Sequence, residues 1–165
     1  MNSDIVDILL VEDDPVDLQL ARRELDKYSN IRIEVARDGE EALDFLLCRG
    51  AFAGRSPDNP PKLVLLDLKL PKVDGLQVLR EIKARAETRA IPVVALTSSK
   101  EEKDLVESYR LGVNSYIQKP VDFDKFRETM RTVGMYWAMM NQPPPPRAFA
   151  AARDTFGAIP DPTKI

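Results

Sequence analysis

The sequence predicts a doubly wound α/β fold, a three-layer sandwich in which five parallel strands run in the order 2-1-3-4-5 between two layers of helices. Three observations point to it. Short apolar runs recur along the chain, among them residues 8–11, 63–66 and 91–96, the pattern of strands buried on both faces. Stretches with apolar residues three or four apart separate these runs, so strand and helix alternate five times in about 140 residues. And most of the runs end on a charged or hydroxyl-bearing residue, as expected where strand ends form the rim of a ligand crevice.

Taken in order, Ile8-Leu9-Leu10-Val11 leads into Glu12-Asp13-Asp14-Pro15. Asp14 is placed to cap a helix whose first residue is Pro15, and Leu18, Ala21, Leu25 and Tyr28 follow at helical spacing. Ile31, Ile33 and Val35 alternate with polar residues and read as a half-buried second strand. Asp38-Gly39-Glu40-Glu41 reads as a capping box that opens a second helix through Leu47, with Ala42, Leu43 and Leu46 inward. Cys48 falls at the end of that apolar stretch and is expected to be inert core packing. Residues 49–61 are rich in Gly and Pro and longer than the roughly 2–6 residues usual between helix and strand, so they read as a surface insertion.

Leu63-Val64-Leu65-Leu66 is the third strand and the stretch around which the rest is organised, because it ends on Asp67 and runs through Leu68-Lys69-Leu70-Pro71 to Asp74-Gly75. A third helix turns Leu76, Leu79 and Ile82 to one face. Residues 91–96 form the fourth strand, ending at Thr97-Ser98-Ser99. The fourth helix spans about 100–111 with Gly112 as its left-handed cap. Ser115-Tyr116-Ile117-Gln118 is a shorter, less apolar fifth strand near a sheet edge, followed by Lys119-Pro120. A fifth helix starts near Asp122. In it Phe123, Phe126, Met130, Val133, Trp137 and Met140 are expected to face the core, leaving Met135, Tyr136, Ala138 and Met139 off that stripe. A helix apolar all round needs a cover, so the expectation is a homodimer with Met135, Tyr136 and Met139 in the interface. Residues 1–141 then form the globular domain, and 142–165, opening with four prolines, a stiff C-terminal arm that reaches across the partner.

Composition narrows the chemistry. Net charge is -3 with no long basic run, which argues against nucleic acid or an anionic membrane as partner. The acidic start and the lack of an apolar run near 18 residues argue against a signal peptide or membrane span. One cysteine makes no internal disulfide and suits the cytoplasm. The sequence contains no histidine, which removes histidine-based triads, histidine-ligated zinc and a phosphohistidine carrier role. Chemistry must run on carboxylates, lysine and hydroxyls.

Right-handed crossovers bring every strand's carboxyl end to one rim, so Glu12, Asp13, Asp67, Thr97 and Lys119 should meet. Clustered carboxylates repel unless a cation neutralises them, and hard oxygen ligands suit Mg2+. A carboxylate beside that ion is a nucleophile able to form an aspartyl phosphate, with Lys119 and Thr97 placed to bind phosphoryl oxygens.

These motifs, Leu9-Leu10-Val11-Glu12-Asp13-Asp14, Leu66-Asp67-Leu68-Lys69-Leu70-Pro71, Asp74-Gly75, Ala95-Leu96-Thr97-Ser98 and Tyr116-Ile117-Gln118-Lys119-Pro120, resemble those of response-regulator receiver domains of two-component signalling. The resemblance implies a flavodoxin-like (βα)5 fold and a non-enzymatic phosphoacceptor. It implies that Asp67 takes a phosphoryl group from a sensor histidine kinase, with Mg2+ held by Asp13, Asp67 and the Lys69 carbonyl, and by Glu12 largely through water. Thr97, Ser98 and Lys119 would grip the phosphoryl group, Thr97 and Tyr116 would form the conformational switch, and the Lys119-Pro120 bond would be cis. Lys69 and Ser99, each two residues beyond a site residue, flank the approach of a hydrolytic water and are expected to tune phosphate lifetime. The long insertion and the ending Tyr136-Trp137-Ala138-Met139-Met140-Asn141-Gln142-Pro143 resemble stand-alone receivers serving bacteriophytochromes. Output would then go by protein contacts or phosphorelay, since no output domain is visible.

Two other readings use the same residues. A Mg2+-dependent aspartyl phosphohydrolase would want a second acid two residues after the nucleophile, where Lys69 stands. A phosphorylation-independent receiver-like adaptor would lack part of the set, and here the set is whole.

Overall fold

The computed structural model describes residues 5–28 and 30–145. Five parallel strands, β1 (Ile8–Val11), β2 (Ile33–Ala36), β3 (Leu63–Leu66), β4 (Val93–Thr97) and β5 (Ser115–Gln118), form one sheet in the order 2-1-3-4-5. Five helices alternate with them: α1 (Pro15–Leu25), α2 (Gly39–Leu46), α3 (Gly75–Lys83), α4 (Glu102–Leu111) and α5 (Phe123–Gly134).

The period-two geometry of the strands sorts their side chains into two cores. Leu9, Val11, Val64, Leu66, Val93 and Ala95 face α2 and α3 and pack with Leu43, Phe45, Leu79 and Ile82. Ile8, Leu10, Leu63, Leu65, Val94 and Leu96 face the other way, against Ala21 and Leu25 of α1 and Phe126, Met130 and Val133 of α5. The central strands β1, β3 and β4 are buried throughout, whereas β5 at the edge is half-buried or exposed. The two edge strands, β2 and β5, are the ones that lack a continuous apolar run, and β5 is the more exposed of them.

Caps fix where the helices begin. Asp14 Oδ1 accepts from the Val16 and Asp17 amides, each at 2.9 Å. Asp38 Oδ1 accepts from the Glu41 amide at 2.8 Å, while Glu41 reaches back to the Arg37 amide rather than to that of Asp38. Asp74 and Asp122 cap α3 and α5. Gly112 ends α4 with φ 103°, a conformation that costs glycine nothing.

Four local expectations are corrected. Cys48 is not in the helical core: it lies beyond the α2 cap at φ 53°, half-buried, with its sulfur facing the Arg55 guanidinium. Phe123 stands at the first position of α5, clear of the sheet, and is 62% exposed. Met140 is exposed as well, because residues Met135–Met140 wind as a π-helix closed by the Asn141 amide on the Tyr136 carbonyl. That wider winding carries Trp137 and Ala138 onto the core and turns Met140 out. Among the described residues every peptide bond is trans, so the Lys119-Pro120 bond is trans, the form an X-Pro bond favours by about 0.5–1 kcal/mol.

The insertion before β3 holds a single 3-10 turn, Gly50–Phe52, and is pinned by Arg55, which stacks on Phe45 and donates to the Phe45 and Asn59 carbonyls. Residues 146–165, most of the expected proline arm, lie outside the described residues. Pro143 and Pro144 border a cleft with Ile5, Val6, Pro60 and Pro92. Among the described residues no helix is long and apolar enough to cross a membrane.

Candidate functional site

The parallel register carries β1 and β3 to the same level: Val11 pairs with Leu66, and the Asp67 amide continues the ladder by donating to the Val11 carbonyl at 3.1 Å. Glu12 and Asp67 therefore emerge side by side, with Asp13 just beyond. Carboxylate oxygens of Glu12, Asp13 and Asp67 lie within 4.8 Å of one another. Glu12 and Asp67 are buried and Asp13 is exposed, so the cluster opens to solvent on the Asp13 side. Gly75 lets the start of α3 close over this loop: a Cβ there would sit 2.3 Å from the Asp67 carbonyl oxygen and 2.5 Å from Leu68 Cα.

Lys119 arrives from β5. Its amide donates to the Thr97 carbonyl at 2.8 Å, and its Nζ donates to Glu12 Oε2 at 2.6 Å, Asp67 Oδ2 at 2.8 Å and Asp17 Oδ2 at 2.9 Å. Burial acts to lower its pKa, but the hydrogen bonds from Asp67, Glu12 and Asp17 outweigh that and hold it above the ordinary lysine range. The three acids thus favour the ammonium form of Lys119. Burial pushes the Glu12 carboxyl up to about 7, against the Lys119 hydrogen bond and with help from the Asp67 charge. Both members of this pair are thus biased toward holding a proton, Lys119 by its acidic partners and Glu12 by burial.

Thr97 is fully buried at the end of β4, and its Oγ1 accepts from the Ser99 amide at 3.2 Å. Ser98 is exposed on the rim next to it. Tyr116 packs its ring on the α2–α3 core and donates from its hydroxyl to the Ser99 carbonyl at 3.3 Å; burial raises its pKa. The Lys69 amide donates to Asp67 Oδ1 at 3.0 Å, while its side chain turns away to Asp104 Oδ2 at 3.4 Å.

Glu12, Asp13, Asp67, Thr97 and Lys119 thus gather at one rim, as the strand ends require. Sequence reasoning missed two residues. Asp17 sits three residues past the Asp14 cap, where an acid passes for ordinary helix-start chemistry; its spacing of four from Asp13 is the signal that it also faces the strand end. Asp104 is buried on α4 and accepts from Ser99 Oγ at 2.5 Å. The Ser99 hydrogen bond, helped by the Lys69 charge, keeps its carboxyl below the usual range despite burial.

The sequence matches the response regulator receiver domain family over residues 8–131. The chain belongs to that family. Response regulator Rcp1 of Synechocystis is 42% identical to this receiver over 132 residues, 79% of this chain and 87% of Rcp1. The Mn2+-bound form of Rcp1 superposes with a TM-score of 0.78 at 36% identity, over 83% of this chain and 97% of that one. A phosphorylated cyanobacterial phytochrome response regulator, RcpA, gives 0.79 at 36% identity, over 85% and 99% of the two chains. The bacteriophytochrome response regulator AtBRR gives 0.65 at 51% identity, over 84% and 99%. Such receivers bind Mg2+ or Mn2+ at an acidic pocket, and the oxygen donors of Glu12, Asp13 and Asp67 fit a hard divalent ion.

Proposed function

We propose that this receiver is a single-domain response regulator whose Asp67 accepts a phosphoryl group from a sensor histidine kinase of the phytochrome type. The juxtaposition of a buried carboxylate, Asp67, with an ammonium at 2.8 Å and two further acids carries the reading. An Asp67 oxygen attacks phosphorus as the P–N bond to the kinase histidine breaks, the electron pair leaving with the ring nitrogen. Lys119 pairs with the phosphoryl oxygens, and the Thr97 hydroxyl donates to another once released from the Ser99 amide. Asp13, Asp67 and the Lys69 carbonyl would hold Mg2+, with Glu12 acting through water. The ion supplies charge neutralisation for the acids and the incoming phosphoryl group.

Thr97 and Tyr116 form the switch in this reading. Both bond Ser99, one through its amide and one through its carbonyl, so a pull on Thr97 reaches Tyr116 through one residue. Ser98, exposed beside Thr97, is placed to meet a phosphoryl oxygen from the solvent side. Output runs through protein contacts or onward phosphate transfer, and the exposed Met135, Tyr136 and Met139 form a homodimer contact. Residues 1–141 act as the receiver and 142–165 as an arm.

The test is incubation with acetyl phosphate and Mg2+, then with a purified phytochrome-type kinase, followed by peptide mapping of the mass increment. Wild type should carry one phosphoryl group on the peptide containing Asp67, and Asp67→Asn none. Label on another residue, or none, overturns the reading.

A further inference from the structure

Asp104 is a charged side chain, 5% exposed, in the first turn of α4, and nothing in the phosphoryl-transfer chemistry above uses it. Helix capping does not explain it. Glu101 holds the cap position of α4 without a side-chain cap bond, and the Asp104 carboxylate points elsewhere. A single oxygen, Oδ2, collects Ser99 Oγ at 2.5 Å and Lys69 Nζ at 3.4 Å. Those partners stand two residues beyond Thr97 and two residues beyond Asp67. Ser108 fixes the same turn by donating to the Asp104 carbonyl at 2.6 Å.

Lys69 is therefore held at both ends. Its amide is tied to Asp67 Oδ1, which keeps the residue beside the phosphoacceptor. Its ammonium is drawn across to α4, although the side chain is 58% exposed and free to swing elsewhere. We propose that Asp104 is a positioning residue that sets the lifetime of the aspartyl phosphate by holding the Lys69 ammonium off the phosphoryl group. The inference rests on Asp67 being the phosphoacceptor.

Two negative groups compete for that ammonium once Asp67 is phosphorylated, because a phosphoryl group brings about -1.5 to -2 charges. With the Asp104 carboxylate in place, the lysine is shared and the solvent side of phosphorus stays open. With the Asp104 carboxylate replaced by the uncharged amide of asparagine, only the phosphoryl oxygens attract it. Hydrolysis needs water to approach in line, opposite the Asp67 oxygen. The water oxygen bonds to phosphorus, the P–O bond to Asp67 breaks, its electron pair returns to the carboxylate, and the water proton passes to solvent. An ammonium paired to the phosphoryl oxygens on that side, with its stem beside them, occupies the path of the water.

The experiment follows loss of radiolabel from the phosphorylated full-length chain in Mg2+ for wild type, Asp104→Asn, Lys69→Ala and the double variant. Asparagine keeps the shape and can still accept from Ser99, so α4 retains its start. Asp104→Asn should prolong the half-life about three- to tenfold, the scale of one charge-assisted contact acting on a barrier. Lys69→Ala should abolish that effect, so that Lys69→Ala and the double variant decay alike. A half-life in Asp104→Asn equal to or shorter than wild type, or a prolongation that persists without Lys69, overturns the inference while leaving Asp67 as acceptor. A wild-type chain that takes no label overturns both. Should Asp104→Asn melt early, Asp104→Ser, smaller and also able to bond Ser99, carries the same comparison. In wild type, the Nζ resonance of Lys69 followed by NMR at its alanine-assigned position should shift on phosphorylation, and an unmoved signal counts against the competition.

Discussion

Each site residue carries two obligations, one to the fold and one to chemistry, and Lys119 shows both. Its side chain is 8% exposed among three acids. Removing one partner of a buried charged network costs about 3–5 kcal/mol because the rest is left uncompensated. Lys119→Met should therefore lose stability on that scale without divalent ion and recover much of it in Mg2+, giving a larger Mg2+-induced rise in melting temperature than wild type. Equal Mg2+ responses would contradict this. Lys83 makes a different case. It donates to the Arg89 and Ile91 carbonyls at 2.9 and 2.7 Å, and burial lowers its pKa from 10.5 to about 8. Between those values the unfolded chain holds a proton that the folded chain has lost, so stability rises with pH across that window; below about 8 the whole penalty is in force. Relative to Lys83→Met, wild type should gain on the order of 3 kcal/mol between pH 8 and 10.5, the slope reaching roughly 1.4 kcal/mol per unit only in the middle of that window, read from urea midpoints of both chains at each pH. Neither lysine's role was equally legible. Lys119 could be read from the chain because it ends a strand, whereas Lys83 is an ordinary helix-end cation until the following loop folds back over it. Asp17 and Asp104 stayed hidden for the same reason, since a first-turn acid looks alike whether it faces water or a ligand.

At the scale of elements, what could be read is what repeats. Strand order, the caps at Asp14 and Asp38, the start of α5 near Asp122 and the left-handed Gly112 follow from rules that the rest of the chain does not contradict, whereas the Asp74 cap of α3 was not read from the chain. What could not be read depends on a change of helical winding. The stripe from Phe126 to Val133 obeys a 3.6 period and is buried, but the π-helical turn from Met135 breaks the count, so Met140 leaves the core. Phe123 fails for another reason: being first in its helix, it overshoots the sheet it was expected to cover. The loop between β3 and α3 makes the sharpest elemental prediction. Gly75 allows the α3 start to rest on the Asp67–Leu68 backbone, and backbone cannot swing aside as a flexible side chain can. Gly75→Ala should cost about 1–3 kcal/mol and, by displacing the Asp67 loop, slow acetyl phosphate labelling. A variant with wild-type urea midpoint and labelling rate would show the loop to be softer than this packing implies.

For the molecule as a whole, the open question is what lies against the far end of the last helix. Met135, Tyr136, Met139 and Met140 are between 41% and 62% exposed, while Trp137 and Ala138 on the opposite side already pack on the core. The apolar residues thus divide between an inner face that is satisfied and an outer face that is wet. A two-fold contact is self-complementary, and methionines with a tyrosine adapt well to such a surface. The π-winding adds to the case, since it spreads apolar side chains around the helix and so widens the outward patch. Full-length protein is expected to sediment as a dimer at tens of micromolar. Met139→Glu places a charge in the contact and should shift the equilibrium to monomer by tenfold or more in Kd, which corresponds to about 1.4 kcal/mol. Because Met139 is outside both cores, the same substitution should leave monomer stability within about 0.5 kcal/mol of wild type. Removing residues 141–165 separates the arm's contribution from the helix's: dimer retained without the arm assigns the contact to Met135, Tyr136 and Met139. A full-length chain that stays monomeric at those concentrations leaves the patch as exposed surface and ends the dimer proposal.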